Sequence, residues 1–268
     1  MSPYRAKKRF GQHFLKSDKV VASILETLTP KPGDTVVEIG PGRGTLTVPL
    51  AKLGANVIAV EFDRELVPYL KKLVMGADNI EIIHSDFLKF DPLQRGLTKF
   101  HLLGNIPYNI TSSVIDWCIR YRKHIMQAVL MVQKEMALRI GGSPGSKNWS
   151  PIAIMTQLAF DVRHCFDVSP RHFNPPPKVI SSVIRLSPKE RGLSVPYEQF
   201  DRVLRTAFKQ RRKLLANNMV PELVATNGEA QSILERLNLP PNVRAEQMSV
   251  DQFEHLTQYL NLKDKTMV

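Results

Sequence analysis

At 268 residues, with 43% hydrophobic and 23% charged side chains, the chain can bury a sizeable core. No window approaches the roughly 18 to 20 unbroken apolar residues of a membrane span, the basic start MSPYRAKKRFGQHFL lacks the apolar stretch of a secretory leader, and Cys118 and Cys165 form no CxxC or Cys/His cluster; a membrane protein, an exported disulfide scaffold and a metal site are thereby set aside, leaving a cytoplasmic protein. The 37 basic and 25 acidic residues give a net charge of +12, and the excess sits in two places: residues 1–19 carry +5 and residues 178–213 carry +7, so two basic arms flank a neutral body and favour nucleic acid as partner over ordinary solvated faces.

Taken in chain order, Ser17-Asp18 followed by Val20, Val21, Ile24, Leu25 and Leu28 combines an N-cap with helical apolar spacing, and Pro30-Lys31-Pro32-Gly33 stops that helix. Apolar runs at 35–39, 56–61, 80–84, 100–104 and 125–132 predict strands, with helices near 45–53, 63–75 and 111–122 between most of them. Alternation of this kind predicts an α/β fold with a Rossmann-like parallel sheet. Phe160–Val168 and Val179–Leu186 predict two strands that close the sheet, joined by a loop over Ser169–Lys178 with its Pro175-Pro176-Pro177 run. Beyond Ser187-Pro188 the apolar pattern is helical, with Phe200, Val203, Leu204, Ala207 and Phe208 on one face and Ile233, Leu234 and Leu237 on another. The expected division is a catalytic domain over 1–188, with a basic arm over 1–19, and a small all-helical domain over 189–268.

The first strand runs into Gly40-Pro41-Gly42-Arg43-Gly44 just before a helix. Glycines there let the backbone approach a ligand, and the helix start favours a carboxylate, although a plain tight turn has the same glycines. Glu61 ends the second strand, where a carboxylate can accept both hydroxyls of a ribose; a nicotinamide dinucleotide would require the same group. Ser85-Asp86-Phe87 separates the two readings, because it puts an acceptor where an adenine amino group would lie, with Phe62 and Phe87 to pack on its faces; as a simple N-cap, Asp86 would signify less. Glu38, Gly40, Glu61 and Asp86 at successive strand ends together predict a class I S-adenosylmethionine site.

The fourth strand delivers Asn105-Ile106-Pro107-Tyr108 at its carboxyl end, where ligands of open α/β sheets gather. The amino group of adenine is a poor nucleophile because its lone pair is delocalised into the ring. An acceptor on Asn105 and a nearby backbone carbonyl can hold its two N–H bonds so that the lone pair turns toward a sulfonium methyl, Pro107 fixes the turn, and Tyr108 can stack on the base. No metal and no covalent intermediate is called for. A base taken from a polynucleotide should be splayed out and sandwiched; Phe173, stiffened by the prolines after it, is a candidate second platform, or else a core plug beneath its loop. Lys209, Arg211, Arg212 and Lys213 would hold phosphates.

At these residues the chain resembles the KsgA (RsmA) family of small-subunit ribosomal RNA adenine dimethyltransferases. The resemblance runs along nearly the whole length: KKRFGQHFL at 8–15, EIGPGRGTLT at 38–47, EFD at 61–63, SDFLKF at 85–90, NIPYNITSSVI at 105–115, MVQKEMALRI at 131–140, PGSK at 144–147, FNPPPKVISSVI at 173–184 and AFKQRRKLLANN at 207–218. It implies S-adenosylmethionine contacts at His13, Leu15, Gly40, Glu61, Asp86 and Asn105. It also implies transfer of two methyl groups to N6 of each of two adjacent adenines near the 3′ end of 16S rRNA during small-subunit assembly, by a protein expected to be monomeric. Ile106, where DNA adenine methyltransferases of the D/N-P-P-Y type carry a second proline, is consistent with accepting an N6 that already bears one methyl. Trp149-Ser150-Pro151 departs from the aromatic-then-Gly pattern of the family and puts that loop in question. The rival readings are an Erm-type large-subunit dimethyltransferase, a DNA adenine methyltransferase and a non-catalytic assembly or transcription factor. GQHFL and the PPPKV loop favour KsgA over Erm, no DNA-recognition domain is evident, and the cofactor loop and Asn105 look intact.

Overall fold

The structure, a computed structural model, describes Lys7 and residues 11–191 and 194–266, with side chains of the last helix described through Asn261. Arg5, Lys8 and Arg9 of the basic arm lie outside the described residues. The chain divides into two compact units, residues 1–137 with 160–188 and residues 138–159 with 189–268.

In the first unit, α1 (Asp18–Leu28) precedes five parallel strands, β2 (Thr35–Ile39), β3 (Asn56–Glu61), β4 (Ile80–His84), β5 (Phe100–Asn105) and β6 (Ile125–Gln133). Helices α2 (Thr47–Lys52), α3 (Leu66–Leu73) and α4 (Thr111–Arg120) make the crossovers. Two further strands, β7 (Phe160–Val168) and β9 (Ser181–Pro188), add antiparallel at one edge, giving the order β4-β3-β2-β5-β6-β9-β7. The central strands are apolar on both faces because helices cover both: Val36, Val37, Leu102 and Leu103 are each 1% exposed or less. The strand order reverses between β2 and β5, and a ligand crevice belongs at the carboxyl ends there.

A two-stranded sheet of β1 (Phe14–Leu15) and β8 (Phe173–Asn174) is absent from the sequence-based expectation. Two residues carry no period, so only the fold's long-range pairing reveals it. It ties the segment before α1 to the proline loop, with Leu15 opposite Phe173.

The second unit departs from the expected boundary. Residues 138–159, assigned in the sequence to the catalytic domain, group with the helices that follow β9. They hold the last three residues of α5 (Lys134–Ile140) and all of α6 (Pro151–Ala159). The reason is local packing: Trp149 is 1% exposed and donates its indole N–H to the Met248 carbonyl at 2.8 Å, and the Gly145 N–H reaches the Glu246 carbonyl at 2.6 Å. Trp149, at the aromatic position of that pattern, is therefore a core anchor of this unit. Helices α7 (Tyr197–Ala207), α8 (Leu215–Met219), α9 (Asn227–Arg236) and α10 (Val250–Thr266) complete it. On α7, Phe200, Val203, Leu204 and Ala207 are buried, as their spacing predicts. The buried Glu254 carboxylate accepts from the Ser194 N–H and hydroxyl and from Arg191, which together hold it below the usual carboxylate range against the opposing effect of burial. Among the described residues no helix is long and apolar enough to cross a membrane and no cluster of metal-ligating side chains forms. Cys118 is fully buried, and burial pushes its thiol far up, so it is inert; Cys165 is unpaired as well.

Candidate active site

The carboxyl ends of β2, β3, β4 and β5 surround a cavity of about 290 Å³ whose walls include Gln12, His13, Gly40, Glu61, Asp86 and Asn105. Its size and largely apolar lining suit a nucleoside-sized ligand. Gly40 takes a positive φ of 61°, and a Cβ built on it would meet nothing within 4 Å, so the turn after β2 leaves open space against its backbone. At Gly42 the need is different: a Cβ would stand 3.0 Å from the Phe14 ring, which itself lies 4.8 Å beneath the Arg43 guanidinium.

Glu61 is 5% exposed, and its two oxygens accept the N–H groups of Asp63 at 2.7 Å and Gly42 at 3.1 Å. Burial raises its carboxyl above the ordinary range, opposed by those amides. Each oxygen keeps a second lone pair, so the group can still accept a ribose diol. Asp86 serves in two ways: its Oδ1 takes the Leu88 N–H at 3.0 Å and caps a short turn, while among the described residues no donor reaches Oδ2. Phe62 is 56% exposed and Phe87 only 4%, the latter fixed 4.5 Å from the Trp117 ring; both line the cavity. A buried acceptor for hydroxyls, a free carboxylate oxygen, two aromatic walls and an open glycine turn fit S-adenosylmethionine.

The segment 11–14 forms another wall, and sequence patterning had no signal for it beyond the resemblance. It is held from two sides. Asp63, 3% exposed, accepts from Lys7 Nζ at 2.8 Å and Gln12 Nε2 at 3.2 Å. Asn105 donates one amide N–H to the His13 carbonyl at 2.9 Å. This contact decides the Asn105 amide orientation: with Nδ2 spent on His13, Oδ1 is the acceptor left for a ligand, and among the described residues no protein donor reaches it. In the same turn the Ile106 N–H bonds the Met131 carbonyl and the Pro107 carbonyl takes the Ile110 N–H. Among the described residues no donor is seen on the Ile106 carbonyl. Tyr108 lies with its hydroxyl 3.3 Å from Ser181 Oγ and its ring stacked 6.1 Å from that of His13. The His13 Nδ1 is 2.8 Å from the Pro175 carbonyl; a carbonyl only accepts, so Nδ1 carries the proton.

Three of the expected residues have side chains buried in the fold. Leu15, implied at the cofactor, keeps its side chain out of the cavity lining, 6% exposed within the core of α1 and β6, so a contact there would be made by its main chain, whose carbonyl accepts from the Thr45 hydroxyl at 3.2 Å. Glu38 is also outside it, 1% exposed and accepting from the Thr47 hydroxyl at 2.6 Å; burial pushes its carboxyl up to about 8. Phe173 is a core plug rather than a platform facing Tyr108: it is 2% exposed, packed in the same core as Leu15 and Met131, because pairing of β8 with β1 turns it inward. His13 holds the place against Tyr108.

In the second unit, the basic run is half spent. Lys209 pairs with Glu222, and Arg211 pairs with Glu246 at 2.8 Å while bonding the Ser146 carbonyl. Arg212 and Lys213 are exposed, and neither has a charged partner among the described residues.

A profile of the family described as "Ribosomal RNA adenine dimethylase" matches residues 4–262. The protein "Ribosomal RNA small subunit methyltransferase A" of Saccharophagus degradans is 35% identical over 264 residues, covering 97% of this chain and 96% of that protein. Its namesake from Pseudomonas aeruginosa is 37% identical over 265 residues, covering 96% and 95%. Among solved structures, a dimethyladenosine transferase from Plasmodium falciparum superposes with a TM-score of 0.84 at 30% identity, covering 94% of this chain and 98% of that one. The 23S rRNA methyltransferase ErmE follows with a TM-score of 0.72 at 28% identity, covering 92% and 99%.

Proposed function

The chain belongs to the ribosomal RNA adenine dimethylase family, and on that premise we propose that it transfers methyl groups from S-adenosylmethionine to N6 of two adjacent adenines near the 3′ end of 16S rRNA in the small ribosomal subunit, as a monomer in the cytoplasm. Near full-length similarity to proteins named for the small subunit, at higher identity than ErmE, favours that substrate over 23S rRNA. The observation that carries the chemistry is the Asn105 amide, anchored through Nδ2 to the His13 carbonyl at the cavity wall, which leaves Oδ1 as its acceptor.

In this reading Glu61 accepts the ribose hydroxyls, Asp86 accepts from the cofactor's adenine, Phe62 and Phe87 pack on its faces, and Gly40 admits the methionine end. The cofactor supplies an electrophilic methyl on a sulfonium. Asn105 Oδ1 and the Ile106 carbonyl accept the two N6 hydrogens, which draws the nitrogen lone pair out of the ring and aims it. Tyr108 stacks on the base, its orientation set by Ser181. Because positioning and fixed dipoles do the work, the protein needs no group that bonds covalently to substrate. The released proton passes to water. Arg212 and Lys213 hold phosphates of the RNA.

The test supplies the protein with labelled methyl donor and, separately, unmethylated small subunits, large subunits and duplex DNA, and identifies the product nucleoside by mass spectrometry. Dimethyladenosine confined to small-subunit RNA is expected; label in large subunits or DNA contradicts the proposal.

A further inference from the structure

The chain after Phe173 forms a rim beside the cavity, fixed at closely spaced points. β8 pairs with β1, and the Lys16 N–H bonds the His172 carbonyl at 2.9 Å. The Pro175 carbonyl accepts from His13, and Pro177 is buried. The Ile180 carbonyl takes the Lys134 N–H at 3.0 Å, and the next residue, Ser181, pairs with Gln133 and touches the Tyr108 hydroxyl. Between these anchors the chain turns Lys178, Val179 and Ile180 to solvent, with Val179 42% and Ile180 43% exposed.

An apolar pair left more than two-fifths exposed gives the fold less than full burial would, since the gain from an aliphatic side chain comes with its burial. Its position is informative, because Ile180 directly precedes the side chain that fixes the base-stacking tyrosine. A purine drawn into the cavity leaves a gap in its own stack, and closure of that gap pulls the base back. Apolar side chains inserted between base steps hold such gaps open.

We propose that Val179 and Ile180 form a wedge that fills the gap left in the RNA stack by the target adenine, with Lys178 against the flanking phosphate. This rests on the reading of the cavity as an RNA adenine site and adds to it the element that keeps the adenine out. The wedge positions substrate; it touches no reacting atom.

The test compares the wild-type chain, V179S/I180S and the conservative V179I/I180V. On unmethylated small subunits the serine variant should lose about tenfold in kcat with KM little changed, and V179I/I180V should rescue the loss, while thermal midpoint and cofactor affinity stay those of the wild type. In parallel, an RNA hairpin with 2-aminopurine next to the target adenine should brighten at saturating wild-type protein and respond less to the serine variant. Wild-type turnover by V179S/I180S overturns the wedge. So does a loss confined to KM with unchanged fluorescence, which would make the loop a docking surface for a ribosomal protein. If the wild-type chain itself leaves small subunits unmethylated, the substrate reading fails instead, and the two failures are told apart.

Discussion

Glu61 and Glu38 end up in opposite circumstances although both are buried carboxyls near the ends of neighbouring strands. Glu61 is ringed by backbone N–H donors and opens on the cavity, so its charge has a use. In the proposed reading E61A leaves ribose hydroxyls without their acceptor, and calorimetry should record cofactor affinity falling on the order of a hundredfold; unchanged affinity would remove Glu61 from the site. Among the described residues Glu38 has only the Thr47 hydroxyl as side-chain partner, and burial pushes its carboxyl up to about 8 from an ordinary value of 4.5. Between those two values the unfolded chain has released the proton that the folded chain retains. The contribution of Glu38 to stability therefore declines as pH rises from 4.5 to about 8 and is constant outside that window. E38Q keeps a partner for Thr47 and has no proton to lose, so its thermal midpoint should vary less with pH across the window than that of the wild type. An equal slope in both proteins would show that Glu38 is ionised in the fold.

At the level of elements, the pairing of β1 with β8 explains why Phe173 is structural. Its ring fills a core shared with α1 and β6, so F173A should leave a cavity and lower unfolding free energy by about 3–5 kcal/mol in denaturant titrations. A stacking platform open to solvent would instead lose turnover at nearly constant stability. The parallel strands and their glycine and Asn-x-Pro-Tyr ends were legible because long apolar runs and turn residues are local signals: Glu61, Asp86 and Asn105 all reach the cavity as expected. Legibility failed where the deciding contact was distant in the chain. Phe173 and Leu15 face inward because two short segments far apart in sequence pair with each other, and Gln12 becomes a wall because Asp63 holds it from the end of β3. Residues 138–159 read as part of the sheet domain by position, yet Trp149 anchors them to the loop before α10.

For the molecule as a whole, the +12 charge describes a polyanion partner only after internal pairing is subtracted. Lys209 and Arg211 pair with Glu222 and Glu246, whereas Arg212 and Lys213 are exposed and have no such partner among the described residues. R212Q/K213Q should flatten the dependence of RNA affinity on salt by about one logarithmic unit for each phosphate no longer neutralised; R211Q, which first releases Glu246, should do so less and destabilise the helical unit more. Equal effects of the two changes would mean the Glu246 pair opens on binding. What joins β5, its turn and the segment before α1 at the candidate site is the Asn105 amide, with its nitrogen given to His13; in the proposed reading its oxygen is left for the purine amine. The most direct measurement is a single-turnover comparison of N105A with the wild type on unmethylated small subunits, with cofactor affinity measured on the same samples. Methyl transfer slowed about a hundredfold or more at nearly unchanged cofactor affinity is the predicted result. Transfer at the wild-type rate would contradict it.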